Sequence, residues 1–497
     1  MKIQIKQHVS TPALNELAST DHLILVLPEG IKDGKWPNIS HKDALKTRFK
    51  RGPEGSGPKL LDLPNKAATH VSMAPVGKQI SQFELLTLAR KLVSPHLAQN
   101  PRSLSLAMPG LPAKLAACVA EALIAAILAM SETMPSYKSK KPDTRKLKTI
   151  HVFNQKTKLD VRTCRATATG NNLARSLTTL PPNELTPGMY RKRVAKLARQ
   201  QGWTMRFHNM ADLRKKKAGA FVAVAQGSPE ADAGIVHLRY TPKKKTSKPA
   251  CALVGKGICF DTGGTNLKPA QYMHGMHEDM EGSAVALGTL LALTELKVDF
   301  PVDCWLALAQ NHIGPKAYKQ NDVVTASNGT TIEVMHTDAE GRMVLADTLY
   351  FAAKKKPAFI IDYATLTGSC VAALGTTQSG AFTNQDNLFN DIIDAGKNSG
   401  ERVWPFPLDS DYDGALDSEI ADIKQCTISG GPDHILASRF LSKFIDKTPW
   451  LHVDLSAGNN KGGLAHIPTA ATGFGVRFTV ELLLQNNVLD KLKPVEE

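Results

Sequence analysis

The sequence is poor in the features that would mark a secreted, membrane or nucleotide-binding protein. Its 497 residues include seven cysteines, an odd number with no CxxC pair. That pattern excludes a disulfide framework and fits a reducing cytosol. The opening stretch MKIQIKQHVS lacks the apolar run of a secretory signal, so a cytoplasmic protein is expected. The most apolar stretch, Leu115 to Met130, is alanine-rich and interrupted by Glu121, and is expected to be too short and too weakly hydrophobic to span a bilayer. No internal repeat is visible. No glycine-rich turn ends in the GK[ST] of a phosphate loop, and MHGMHED is neither HExxH nor HxxEH.

Acidic charge is scarce in the first third. Residues 1–170 carry 26 Lys and Arg against 12 Asp and Glu, whereas the remainder carries 35 against 34. The net charge of +15 is therefore almost wholly N-terminal. A solvated basic face that aids solubility is the simpler reading, and contact with nucleic acid or another polyanion is the sharper one. The run KSKKPDTRKLK (Lys138 to Lys148) suits either, with no interleaved aromatics and no DNA-binding motif.

What is present is strand–helix alternation. In the first part, 22–30, 68–76, 103–110 and 148–154 read as strands, and Gln82 to Ala98 as a helix. Pro112 opens the alanine-rich helix. The stretch Ile31 to Pro64, rich in Lys, Gly and Pro, reads as exposed loop. From about Gly170 a larger set follows. Helices are expected over 171–187, up to Pro181, and over 187–201. Strands are expected over 221–225, 235–240, 251–260, 302–309, 358–366 and 450–458, with further helices at 283–296 and 472–484. The pattern implies an α/β protein of two domains, residues 1–165 and 166–497.

Two stretches concentrate chemistry: VGKGICFDTGGTNLKP (Val254 to Pro269) with MHEDMEG (Met276 to Gly282), and HTDAEGR (His336 to Arg342). Asp261, Asp279, Asp338 and Glu340 cannot be gathered without counter-ions. Two divalent cations would balance them, and oxygen ligands suit Mg²⁺ or Mn²⁺, with Zn²⁺ also admissible. Lys256 can join such a shell only as a neutral amine, which a nearby dication favours. In an extended HTDAEGR, Asp338, Glu340 and Arg342 share one face. With a helix following from Met343, Arg342 would mark an anion site at its N-terminus.

These motifs resemble the signatures of the leucine aminopeptidase family (peptidase family M17). Its NTDAEGR appears here as HTDAEGR, and its VGKG, FDSGG, lysine and DM-G elements as VGKG, FDTGG, Lys268 and Asp279. The similarity runs over roughly 170–485, taking in TLTGSCVAALG and GFGVRF. It implies a catalytic C-terminal domain with a central mixed sheet flanked by helices, and a smaller N-terminal α/β domain. The implied activity is removal of N-terminal residues from peptides by a water activated between two metal ions, Mn²⁺ or Zn²⁺. By the same resemblance Asp261 and Glu340 bridge the ions, Asp338 completes one shell, and Lys256 and Asp279 the other. Lys268 stabilises the developing oxyanion, and Arg342 holds a bicarbonate that shuttles the proton. Met276, Thr365 and Gly368 line the pocket for the first side chain, where an apolar wall favours Leu or Met. A homohexamer is implied too.

The departures are Thr262 for serine, His336 for asparagine and Glu281 for glycine. His274, His277, Glu278 and Glu281 crowd the Asp279 side, which points to altered metal preference or to selection of basic N-terminal residues. The alternatives are a nucleic-acid-binding or regulatory protein on a peptidase scaffold, and a dipeptidase of different specificity.

Overall fold

The computed structural model describes residues 3–9, 20–31, 36–51, 57–140 and 143–495. They form two compact units, Met1–Ala168 with Gly462–Ala470, and Thr169–Lys461 with Ala471–Glu497.

The first unit is built on six strands: β1 (Gln4–Gln7), β2 (His22–Pro28), β3 (Lys59–Asp62), β4 (His70–Val76), β5 (Ser103–Ala107) and β6 (Thr149–Phe153). Their order is β1-β6-β5-β2-β4-β3, parallel except for β3 against β4. Alternate residues of β2 serve two cores. Ile24 and Val26 join the helices Gln82–Ala98 and Ala113–Ser131 on one face, and Leu23, Leu25 and Leu27 meet Leu45 and Phe49 on the other. The helix Gln82–Ala98 starts at the expected residue because Ser81 and Glu84 form a reciprocal capping box. Ala465, from the returning segment, belongs to the first of these cores, and Arg90 donates to the carbonyls of Gly462 and Ile467 at 2.8 and 2.7 Å.

Two expectations for this unit need correction. The stretch from Ile31 to Pro64 holds a helix, Lys42–Lys50, and the strand β3, although its residues 32–35 and 52–56 lie outside the described ones. Leu45 and Phe49, four apart, supply its buried stripe. The alanine-rich helix is longer and more apolar than the sequence implied. Ala113–Ser131 has 19 residues, 18 of them with a mean hydropathy of 2.0, enough by length and composition to cross a membrane. Here it is a core helix, with Val119, Leu123, Ile124 and Ile127 buried in the unit's interior.

In the second unit the strands are β7 (Thr204–Asn209), β8 (Gly234–Tyr240), β9 (Cys251–Asp261), β10 (Val302–Asn311), β11 (Val323–Thr325), β12 (Thr331–Glu333), β13 (Phe359–Ala364), β14 (Ser379–Thr383), β15 (Val403–Pro405), β16 (Ile423–Lys424) and β17 (Trp450–Asp454). Eight form a mixed sheet in the order β15-β14-β17-β13-β9-β10-β8-β7, and β11, β12 and β16 a small separate one. The centre, β17-β13-β9-β10, is parallel. Its strands are buried on both faces, which is why they read as unbroken apolar runs.

The helix Glu281–Leu296 lies close against this centre. A side chain on Gly255 would strike the backbone at Gly282 and Ser283, and one on Gly282 the carbonyl of Tyr363. Such close approach is available only to glycine. Residues 221–225, expected as a strand, belong to a helix, Gly219–Ala225. A short apolar run has no period by which to tell the two apart, and the Asp347 carboxylate accepts the Phe221 N–H at 2.8 Å inside the core. The helix expected over 171–187 spans Val161–Thr178, and the closing helix is Val476–Leu484.

Candidate metal centre

Parallel strands deliver their last residues to one edge of the sheet, where ligands of open α/β sheets commonly sit. Asp261 ends β9, Asn311 ends β10, Asp454 ends β17, and Thr365 follows β13 directly. Asp279 lies just before the helix Glu281–Leu296, and Glu340 opens the helix Glu340–Ala353. HTDAEGR is thus not extended throughout. Asp338 stands in the turn before the helix, and Glu340 and Arg342 fall in its first turn.

Ligand oxygens of Asp261, Asp338 and Glu340 all lie within 4.8 Å of one another. Two lysines interleave the carboxylates. The Lys256 Nζ stands 2.7 Å from Asp279 Oδ1 and 2.9 Å from Glu340 Oε1, and donates to the Thr365 carbonyl at 2.9 Å. The Lys268 Nζ stands 3.0 Å from Asp261 Oδ2 and 2.5 Å from Asp338 Oδ1. Thr365 donates its hydroxyl to Asp279 Oδ1 at 2.7 Å. The Asp261 Oδ1 accepts from the Gly263 N–H and from Asn311 Nδ2, each at 2.8 Å.

Burial opposes the charge on Lys256, but Asp279, Glu340 and Asp261 outweigh it and raise its pKa above the usual lysine value. Burial likewise opposes Lys268, and Asp261, Glu340 and Asp338 reverse it in the same direction. Burial pushes Asp279, Asp338 and Glu340 upward, while the lysines pull them back. Asp279 Oδ2 is buried without a hydrogen-bond partner. Asp338 Oδ1 and Glu340 Oε1 have an ammonium at ion-pair distance but off the hydrogen-bonding direction. Buried carboxylate oxygens left this way fit hard divalent cations. The four carboxylates therefore suit the metal expected from the sequence, and Lys256 would join them only on giving up the proton that these carboxylates hold on it.

Arg342 lies in the first turn of the helix Glu340–Ala353. Its guanidinium is buried and pairs through Nη2 with both Asp433 oxygens, at 2.9 and 2.8 Å, and Nη1 donates to the Gln425 carbonyl at 3.0 Å. Nη1 and Nη2 are thus engaged by the chain's own groups, while Nε is buried without a hydrogen-bond partner.

A cavity of about 400 Å³ opens beside the cluster. Met276, Thr365 and Gly368 line it together with Glu278, Glu281, Val371, Leu455 and Asn459, as do all five expected metal-holding residues and Lys268. His274 and His277 do not line it. His336 lies on a neighbouring hollow with Lys268 and Asp338, and its Nδ1 accepts the Asp338 N–H at 3.2 Å. Burial, with Glu278 adding to it, pushes the Glu281 carboxyl up to about 8.

Four supporting residues had escaped the sequence reading. Asn311 holds Asp261, and Thr337 ties Gly263 and Asn266 to the metal loop through its hydroxyl. Tyr318 donates to the Thr337 carbonyl at 2.7 Å, and Asp433 neutralises Arg342. Each acts across a wide sequence gap; only Asn311, closing an apolar strand, left a local signal.

Residues 172–480 match the family described as "Cytosol aminopeptidase family, catalytic domain". A probable cytosol aminopeptidase of Wolbachia pipientis is 42% identical over 315 residues, 63% of this chain and 63% of that protein. One from Pseudomonas syringae pv. tomato is 38% identical over 87% of this chain and 88% of its own length. Among solved structures, a mutant tomato leucine aminopeptidase superposes with a TM-score of 0.85 at 27% identity, covering 98% of this chain and 97% of that one. With a family match over most of its length and a shared two-domain α/β architecture, the chain belongs to the cytosol aminopeptidase family, metallo-aminopeptidases among the hydrolases.

Proposed function

We propose that the chain is a cytosolic, metal-dependent aminopeptidase that releases N-terminal residues, including Leu and Met, from peptides. The observation that carries this reading is the cradle of four carboxylates and Lys256 at the ends of the central parallel strands. In this reading Asp261, Glu340, Asp338, Asp279 and Lys256 would hold two divalent ions, Mn²⁺ or Zn²⁺. Bound there, the ions supply an activated water and polarise the scissile carbonyl. The ammonium of Lys268, on the cavity wall beside Asp261 and Asp338, donates to the carbonyl oxygen as it gains negative charge. The acidic cradle favours the free amine of a peptide end, which confines cleavage to the first bond. Met276, Thr365 and Gly368 receive the first side chain. Arg342, paired with Asp433, stands two residues past Glu340 at the start of the helix Glu340–Ala353. A homohexamer is part of the same proposal, tested by sedimentation.

The direct test is exhaustive chelation followed by return of Mn²⁺ or Zn²⁺, with release of amino acids from short peptides measured chromatographically. Activity should vanish and return. Full activity at nil metal content would refute the reading, and hydrolysis confined to dipeptides would favour a dipeptidase.

A further inference from the structure

The cavity beside the cluster has a second electrostatic feature. Among the described residues its only lysines or arginines are Lys256 and Lys268, both paired with carboxylates of the cradle. Three further carboxylates line it: Glu278, Glu281 and Asp454. Asp454 is satisfied by the Leu366 N–H and by the Thr367 N–H and hydroxyl. Glu278 accepts from Asn459 Nδ2 at 2.5 Å. Glu281 is the exception. It is 1% exposed, it lines the cavity, and its Oε1 is buried with no hydrogen-bond partner. A buried carboxylate oxygen left unpaired is costly, and a donor brought in by a ligand would relieve that cost. Glu281 is also the first residue of the 16-residue helix Glu281–Leu296, whose positive end partly offsets the burial and the Glu278 charge that oppose ionisation there, and an incoming cation would offset them further.

A substrate's position follows from the chemistry. The scissile carbonyl must lie at Lys268 and the metal-holding carboxylates, so the first side chain takes the remaining space. There the wall is apolar at Met276, Val371 and Leu455 and acidic at Glu278 and Glu281. This suits a long methylene stem with a cationic head. A leucine or methionine fills the stem path and leaves Glu281 Oε1 unpaired. We infer that this cavity selects peptides beginning with lysine or arginine, with Glu281 as the specificity-determining residue. The inference rests on the aminopeptidase reading.

The test uses the full chain loaded with Mn²⁺ and the 4-nitroanilides of lysine, arginine, norleucine and leucine at one pH. Norleucine is the neutral counterpart of the lysine stem. The expected kcat/KM for lysine and arginine is at least about tenfold above norleucine, the range of one charge-assisted hydrogen bond. Glu281→Gln should lower the lysine-to-norleucine ratio by a similar factor. Norleucine turned over as well as lysine would overturn the inference and leave the aminopeptidase reading standing. An unchanged ratio in a folded Glu281→Gln protein would overturn the residue's assignment. Should that variant not fold, the comparison on the parent chain decides alone. No turnover of any of the four substrates, at full metal content, would refute the aminopeptidase reading and this inference with it.

Discussion

The pair between Arg342 and Asp433 permits a quantitative prediction. Asp433→Ala removes the one carboxylate that, among the described residues, pairs with a guanidinium that is 2% exposed. Stripping one partner from a buried ion pair costs about 3–5 kcal/mol. The Asp433 side chain is itself 30% exposed, so water screens part of the pair and the lower end, about 3 kcal/mol, applies. The second unit contains roughly 320 residues. At about 2.1 cal/mol/K per residue its unfolding entropy is roughly 0.7 kcal/mol/K, so the melting temperature should fall by about 4–5 °C. The vacated guanidinium then faces a gap of carboxylate size at the start of the helix Asp433–Ser442. Bicarbonate should therefore stabilise the variant, by about 2.7 kcal/mol at one hundred times its dissociation constant. The parent chain should not respond. Calorimetry of both proteins with and without bicarbonate, alongside peptide hydrolysis, is the assay. A variant melting within 1 °C of the parent would refute the argument, as would a parent that gains as much from bicarbonate as the variant does.

Three further outcomes follow from the same structure. Lys268→Ala should reduce turnover by about 2.7–4 kcal/mol of transition-state stabilisation while retaining metal, whereas Asp261→Ala should lose metal, as read by atomic absorption; equal metal loss in both would contradict the assigned roles. Gly282→Ala should yield little soluble protein, because the new methyl meets the Tyr363 carbonyl; normal expression and melting would show that the helix can move away. Burial raises the Glu401 carboxyl from 4.5 to about 7, against the pull of the Phe478 and Gly475 N–H groups it accepts. An acid with a raised native pKa binds more protons folded than unfolded, so its contribution falls as pH rises from about 4.5 to 7, by on the order of 3 kcal/mol. Glu401→Gln keeps an oxygen for both N–H groups and should flatten that fall in denaturant titrations at stepped pH.

Legibility in the sequence depended on how local the cause was. The helix Gln82–Ala98 could be read to the residue because its cap and its apolar stripe are both written within it. The buried strands Cys251–Asp261 and Phe359–Ala364 were readable as apolar runs ended by turn or polar residues. The run Ala220–Ala225 was not, since its helical state depends on Asp347, more than a hundred positions away. The metal-holding residue types stood out because few arrangements other than metal binding explain clustered carboxylates among glycines. Arg342 shows the limit. Its neighbours in sequence identify the motif, but the partner that determines what it can bind lies 91 residues further on. The orphaned oxygen of Glu281 is a property of packing alone, visible only once the cavity wall is assembled.

The first unit closes with a segment, Gly462–Ala470, that lies 294 residues beyond Ala168 in the chain. On a ribosome adding about 5–20 residues per second, that gap lasts roughly 15–60 s. During it the N-terminal sheet and its helices exist without Ala465 in their core, and Arg90 lacks the two carbonyls it later binds. The unit begun first is thus among the last to be finished. Its apolar helix Ala113–Ser131 spends that interval beside an incomplete core.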